Sequence, residues 1–246
     1  MKYNLLKLSA LLACLAATAG ATTTFSFDLV DDSGGNFGNI RTYTSGGITV
    51  TVTAWGLTGN SNTTFQTAHS GEYAGLGLGI CNQAEGLLCG DPEHQVDNAG
   101  EYDFMLFQFS SGGNPISVNL SSIVLNEYCG NGCPEGGWRR DMTYWVGNSG
   151  AGLSLGGINP TFGLGPLGFG GGANLFDPGA LSGGITDNLS GSGSSLLVSA
   201  LFPRGDATDR FKIDSLSVST VPEPATFELI GVALSVIGLM SRLRRA

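Results

Sequence analysis

The densest set of side chains able to do chemistry lies in residues 91–103, which read DPEHQVDNAGEYD. Asp97, Asn98, Glu101 and Asp103 offer hard oxygens around a glycine-containing turn, the donor type that calcium takes. These four form the expected calcium set. The plainer reading of the same residues is a solvated acidic loop capping the strand that follows. His94 is one of two histidines in the chain. A Ser-His-Asp triad needs a serine raised on a strand-to-helix elbow, which is not expected in this body, and His69 falls in a polar loop. Glu85, Glu93 and Glu101 supply carboxylates for glycoside hydrolysis, but such pairs are too common to identify an enzyme. The expectation is a protein without catalytic residues and with no cofactor, calcium being the one candidate.

Four cysteines lie beyond the first 21 residues: Cys81, Cys89, Cys129 and Cys133. An even number in a chain that carries an export leader points to disulfides, with three possible connectivities. Neither spacing is C-x2-C, which argues against zinc. Local pairing, Cys81 with Cys89 and Cys129 with Cys133, is expected because each bridge closes a short loop at small entropic cost.

The elements that must position these residues read as strands. Ile48, Val50, Val52 and Ala54 alternate with threonines from Gly47 to Trp55, the pattern of a strand with one buried face. Phe25 and Phe27 alternate in the same way near the start. Further strands are expected at 75–80, 102–109, 116–125, 142–146, 196–202 and 211–219, separated by turns such as Gly112-Gly113-Asn114-Pro115. Glycine contributes 40 of 246 residues, without the every-third spacing of collagen. Much of it falls in residues 147–193, which read as a long flexible loop or a glycine-rich adhesive surface. Gly163, Gly165 and Gly168 spell a dinucleotide fingerprint by chance, since Pro166 interrupts it and no βαβ pattern surrounds it. The fold expected is all-β: a jelly-roll-like β-sandwich over residues 22–220.

Between residues 22 and 220, six basic side chains stand against 18 acidic ones, a net charge of −12. A body this acidic repels a phosphate backbone, so nucleic acid is excluded as a partner. The remaining basic residues mark the two ends. Residues 1–21 carry Lys2 and Lys7, an apolar run and the small-residue site Ala19-Gly20-Ala21, together a secretory signal peptide. Lipoprotein processing at Cys14 is the weaker alternative, because the apolar run before it is short. At the other end, Val221-Pro222-Glu223-Pro224 precedes an apolar stretch, Ala225–Met240, and then Arg242, Arg244 and Arg245. Counted to Leu243, the stretch 225–243 can reach across a membrane as a single helix, with the arginines as a positive stop on the cytoplasmic side. Two prolines hold the segment before it extended and remove its backbone donors.

These three parts in this order, over residues 221–246, resemble the PEP-CTERM sorting signal of Gram-negative bacteria. The resemblance implies an exosortase-like transpeptidase as partner and an inner-membrane-anchored precursor. Its body would then be delivered to the cell surface or the exopolysaccharide matrix. Glu228 departs from the pattern, which usually carries an apolar residue there. The body itself resembles a family of exosortase-dependent surface proteins. The matching residues are Leu76-Gly-Leu-Gly-Ile80, Pro92-Glu-His94, Val96-Asp-Asn98, Asp103 before Leu106-Phe107-x-Phe109, Trp138 with Asp141, and the closing run Arg210–Val218. Cys129–Cys133 and Gly163–Gly172 depart from it.

The expected organisation is therefore a signal peptide (1–21), an extracytoplasmic β-domain (22–220) and a sorting signal (221–246). The leading function is an exported, exosortase-processed, non-catalytic surface or matrix protein. An alternative is a glycan-binding module, calcium-assisted, with Trp55, Trp138, Tyr144 or Trp145 exposed as a sugar platform. A secreted hydrolase is third, for want of convergent acid and base groups.

Overall fold

A computed structural model describes residues 22–30, 35–36, 38–57, 63–89, 94–128, 139–170, 173–178, 184–203 and 208–220. The chain divides into a body, Thr24–Ser219, and a second unit made of residues 1–23 and 220–246. The signal peptide, the sorting residues Val221–Pro224, the span 225–243, the arginines 242, 244 and 245, and Cys129 and Cys133 lie outside the described residues. Among the described residues no helix is long and apolar enough to cross a membrane.

The body is all-β. Its strands are β1 (Thr24–Asp28), β2 (Gly35–Asn36), β3 (Ile40–Ser45), β4 (Ile48–Leu57), β5 (Gln66–Thr67) and β6 (His69–Tyr73). There follow β7 (Gly77–Cys81), β8 (Val96–Asp97), β9 (Tyr102–Ser111), β10 (Asn114–Pro115), β11 (Val118–Asn126) and β12 (Met142–Gly147). The last are β13 (Asn174–Phe176), β14 (Ile185–Asn188), β15 (Ser192–Gly193), β16 (Ser195–Ala200) and β17 (Arg210–Thr220). They form two sheets, antiparallel in every pairing whose register is known. The larger runs β14-β11-β17-β7-β6-β2, with β1, β8 and β15 attached. The smaller runs β13-β12-β16-β9-β4-β3, with β5 and β10 attached.

Period-two alternation decides what faces inward. Val50 and Val52 of β4, Phe107 of β9, Val198 of β16, Ile80 of β7 and Ile213 of β17 meet in one buried cluster fed by both sheets. Each such side chain contributes roughly 1.5–3 kcal/mol on leaving water. In β11 the inward parity changes between Leu120 and Ile123, and in β17 between Ile213 and Leu216. In β11 the shift coincides with a register step. Between the pairs Asn119↔Ser192 and Ser122↔Asn188 the partner chain advances four residues against three, so the extra residue of that bulge lies between β14 and β15. Gly46 and Gly47 adopt φ of +55° and +83°, the turn conformation that joins β3 to β4 in two residues.

The threonines of β4 do not all face solvent as expected. Thr53 and Trp55 are buried, because the outer face of the smaller sheet has its own cover. A second cluster there joins Trp55, Leu57, Phe104, Leu106, Trp145 and Leu197 to Phe65 and to Leu155, Leu164 and Phe169. The last three belong to the glycine-rich region, which between 148 and 170 is therefore not a free loop. It is a strap laid over the sheet. Within it, α1 (Pro160–Gly163) starts at Asn159, whose side chain accepts from the Thr161 N–H, and a 3₁₀ turn (Gly165–Leu167) follows. Phe65 N–H donates to Ile158 O, and Gly157 N–H donates to Phe65 O, tying the strap to the loop before β5.

Candidate functional site

The acidic segment singled out in the sequence does not form a solvated loop. Asp97, Asn98 and Asp103 are buried, while Asp91, Pro92 and Glu93 lie outside the described residues. Asp103 stands near the start of β9, and its two carboxylate oxygens accept from Asn82 Nδ2 (3.1 Å) and from the Asp97 backbone N–H (3.4 Å). Asn82 is itself fixed by a turn: its Oδ1 accepts from the N–H groups of Ala84 and Glu85. Asp97 closes a similar turn by accepting from the Ala99 N–H at 2.9 Å. Glu85 reaches to 3.7 Å from His94 Nδ1, and Arg210 Nε lies 4.0 Å from Asp97 Oδ2. Five charged or chargeable groups thus gather where β8, β9 and β17 meet the loop after β7.

Burial dominates the electrostatics. It pushes the Asp97 carboxyl up to about 6, with repulsion from Glu85 adding and the Ala99 N–H, Arg210 and His94 opposing. Asp103 is held well above the usual carboxylate range, first by burial and then by the charges of Asp97 and Glu85. Both carboxyls therefore hold their protons to higher pH than an exposed aspartate does, and the charge of Asp97 resists ionisation of Asp103.

The structure separates the four expected calcium donors. Asp97 and Asp103 share this joint, but the side chain of Asn98 turns to Asp209. Asn98 Nδ2 donates to Asp209 Oδ2 (2.9 Å) and to Leu201 O (3.2 Å), and Asn98 Oδ1 accepts from the Asp209 N–H (2.8 Å). Glu101 is half-buried in the turn before β9. Among the described residues, no group of three or more His, Cys, Asp or Glu is arranged to hold a metal ion.

Lys212, the only lysine between residues 22 and 220, was not singled out by the sequence reading. It is fully buried, donates to the His94 carbonyl, and stands 3.9 Å from the centre of the Tyr73 ring and 5.6 Å from that of Tyr128. Its signal was visible: a cation inside the strand pattern Phe211-Lys212-Ile213. The glycines of Leu76–Ile80 serve the same region, since a Cβ on Gly79 would collide with the His94 carbonyl. Cys81, at the end of β7, bridges to Cys89 with the Cα atoms 5.6 Å apart, as the local pairing expected. His69 is in β6 rather than a loop, and its Nδ1 is 2.8 Å from Leu87 O.

Gly152-Leu153-Ser154-Leu155-Gly156 spells G-x-S-x-G, a match the sequence reading passed over. It sits in the strap, not at a turn leading directly from a strand into a helix: β12 ends at Gly147 and α1 begins only at Pro160, and Ser154 Oγ accepts from the Gly156 N–H. It is therefore no nucleophile elbow. The aromatic platform expected of a glycan binder is equally displaced: Trp55, Tyr144 and Trp145 are all buried, and Trp138 lies outside the described residues. The fold and this polar joint define an all-β two-sheet protein. No family model, curated protein or solved structure matches the chain.

Proposed function

We propose that the protein is an exported, exosortase-processed surface or extracellular-matrix protein whose β-body has no catalytic activity. The observation that carries this reading is the ordered set of Pro222-Glu223-Pro224, the apolar run Ala225–Met240 and Arg242, Arg244 and Arg245, behind a leader that ends in Ala19-Gly20-Ala21. The leader hands the chain to the export machinery. The apolar run halts in the membrane with its arginines inside, and the rigid Pro-Glu-Pro segment is presented to a transpeptidase just outside. A filled core and the buried Cys81–Cys89 bridge suit a body that must survive in an oxidising compartment. We read the body as a jelly-roll, because β9, β11, β12, β14, β16 and β17 alternate between the two sheets.

Changing Pro222, Glu223 and Pro224 together to alanine tests this reading. The expected result is an exported precursor that stays in the membrane with its tail attached. Normal release of a tailless product would assign the processing to another protease.

A further inference from the structure

The free edge of the smaller sheet offers a binding site of a different kind. Strand β3 pairs with β4 in the register Ile40↔Thr53, Arg41↔Val52, Thr42↔Thr51 and Tyr43↔Val50. Asn39 O accepts from the Ala54 N–H, which fixes the phase of the ladder. In an antiparallel pair the hydrogen-bonded residues alternate, so Arg41 and Tyr43 turn their backbone groups toward β4. Ile40, Thr42 and Thr44 turn theirs outward, and all three residues are exposed, Ile40 at 60%. Among the described residues no backbone partner meets those outward groups.

A cavity of about 550 Å³ lies along this edge, lined by Ile40, Arg41, Thr42 and Tyr43 with Asp28, Val30 and Glu72. Four consecutive strand residues cannot all point to one face, so a cavity touching all four sees the strand from its side. The opposite wall, Asp28 and Val30, comes from β1 and the residues after it. At the base, Arg41 pairs with Glu72, and Tyr43 OH lies 3.2 Å from Arg41 Nη1 and 3.4 Å from Glu72 Oε1. Arg41 and Glu72 carry opposite formal charges, so among the described lining residues Asp28 is the surplus charge. The body around it carries the net −12 noted above.

We propose that this slot binds an extended peptide of a partner protein by strand addition to β3, with preference for basic side chains. Backbone pairing to Ile40, Thr42 and Thr44 supplies sequence-independent affinity, and the carboxylate of Asp28 selects the charge. The proposal does not depend on how the C-terminal tail is processed.

Hydrogen exchange of the full-length chain, read by mass spectrometry over residues 38–46, tests it with two probes. One is a blocked octapeptide of alternating lysine and valine; the other replaces each lysine with glutamate. The basic peptide should slow exchange of the 38–46 segment by about tenfold or more, and the acidic one should not. Thr42→Pro removes an outward N–H that β4 does not use, so the variant should keep its melting temperature and lose the protection. Asp28→Lys should reverse the preference between the two peptides. Unchanged exchange with the basic peptide, equal protection by both, or full protection in a folded Thr42→Pro variant would overturn the proposal. Concentration-dependent protection without peptide would also overturn it, because a second copy of the chain would then occupy the edge.

Discussion

On its inner face the eight-stranded sheet meets another sheet, and on its outer face it meets a strap of glycine-rich sequence. The inner core is largely aliphatic and draws on long alternating strands from both sides, with Val50, Val198, Ile80 and Ile213 among its members. The outer core is aromatic: Phe65, Phe104, Trp145 and Phe202 meet as tilted or edge-to-face pairs with ring centres 4.8–6.1 Å apart. Its cover contributes Leu155, Leu164 and Phe169, with the half-buried Leu153, Ile158 and Leu167 packed beside them, spaced by glycines. A strap of that composition loses more chain entropy on ordering than a strand does. The difference teaches that low-complexity composition and a structural role are compatible when large apolar residues recur within the run.

The comparison is broken most directly by Phe107→Ala. Phe107 is fully buried between the sheets, so the change should cost about 3–5 kcal/mol and lower the midpoint of cooperative unfolding by circular dichroism. Removal of the Cys81–Cys89 bridge with paired serines should cost about 2.5 kcal/mol, as expected for a short loop. The double change with Phe107→Ala should be close to additive if loop and core are independent. Leu164→Ala, under the strap, should cost about 2 kcal/mol and shift tryptophan emission to the red, because Trp55 and Trp145 share its cluster. The far-UV spectrum should stay native. A loss of all β-type signal would mean the strap and the sheets fold as one unit.

The smallest effect concerns the polar joint. Asp97 and Asp103 have carboxyls raised by burial, so the native state holds protons that the unfolded chain has released. Their contribution to stability is complete below the ordinary value of 3.8 and is lost as pH rises through about 6 for Asp97 and through the raised range of Asp103. The burial-raised carboxyls of Asp187, Asp209 and Asp214 act with the same sign. Thermal melts between pH 4 and pH 7 should therefore show a decline attributable to this joint, and Asp97→Asn should flatten it. An unchanged slope in that variant would assign the decline to the other carboxylates.

Much of the body was legible in the sequence because one buried face imposes a period of two. β4, β9 and β17 lie where alternation placed them, and Val50, Phe107, Leu120 and Ile213 are core residues. β3 and β6 were not recognised. Ile40–Ser45 is an edge strand with an exposed face, and His69–Tyr73 carries His, Ser, Gly and Glu, so neither shows an apolar period. The parity changes in β11 and β17 hide in runs that read as single strands, since a shift of one residue leaves composition unaltered. The polar joint was visible only in part. Asp97 and Asp103 are close in sequence, whereas Asn82 and Arg210 reach them only through tertiary packing that no local pattern encodes. Burial then reversed the meaning of the acidic run, turning an expected solvated loop into desolvated carboxylates.

The sorting account rests on residues at the two ends, and the intact mass of the cell-free or cell-surface product tests both at once. It predicts a chain that begins near Thr22 and has lost the apolar run and the arginines, with its C-terminus at or close to Val221–Pro224. A product that retains residues 225–246, or one that still carries the first 21 residues, would contradict it.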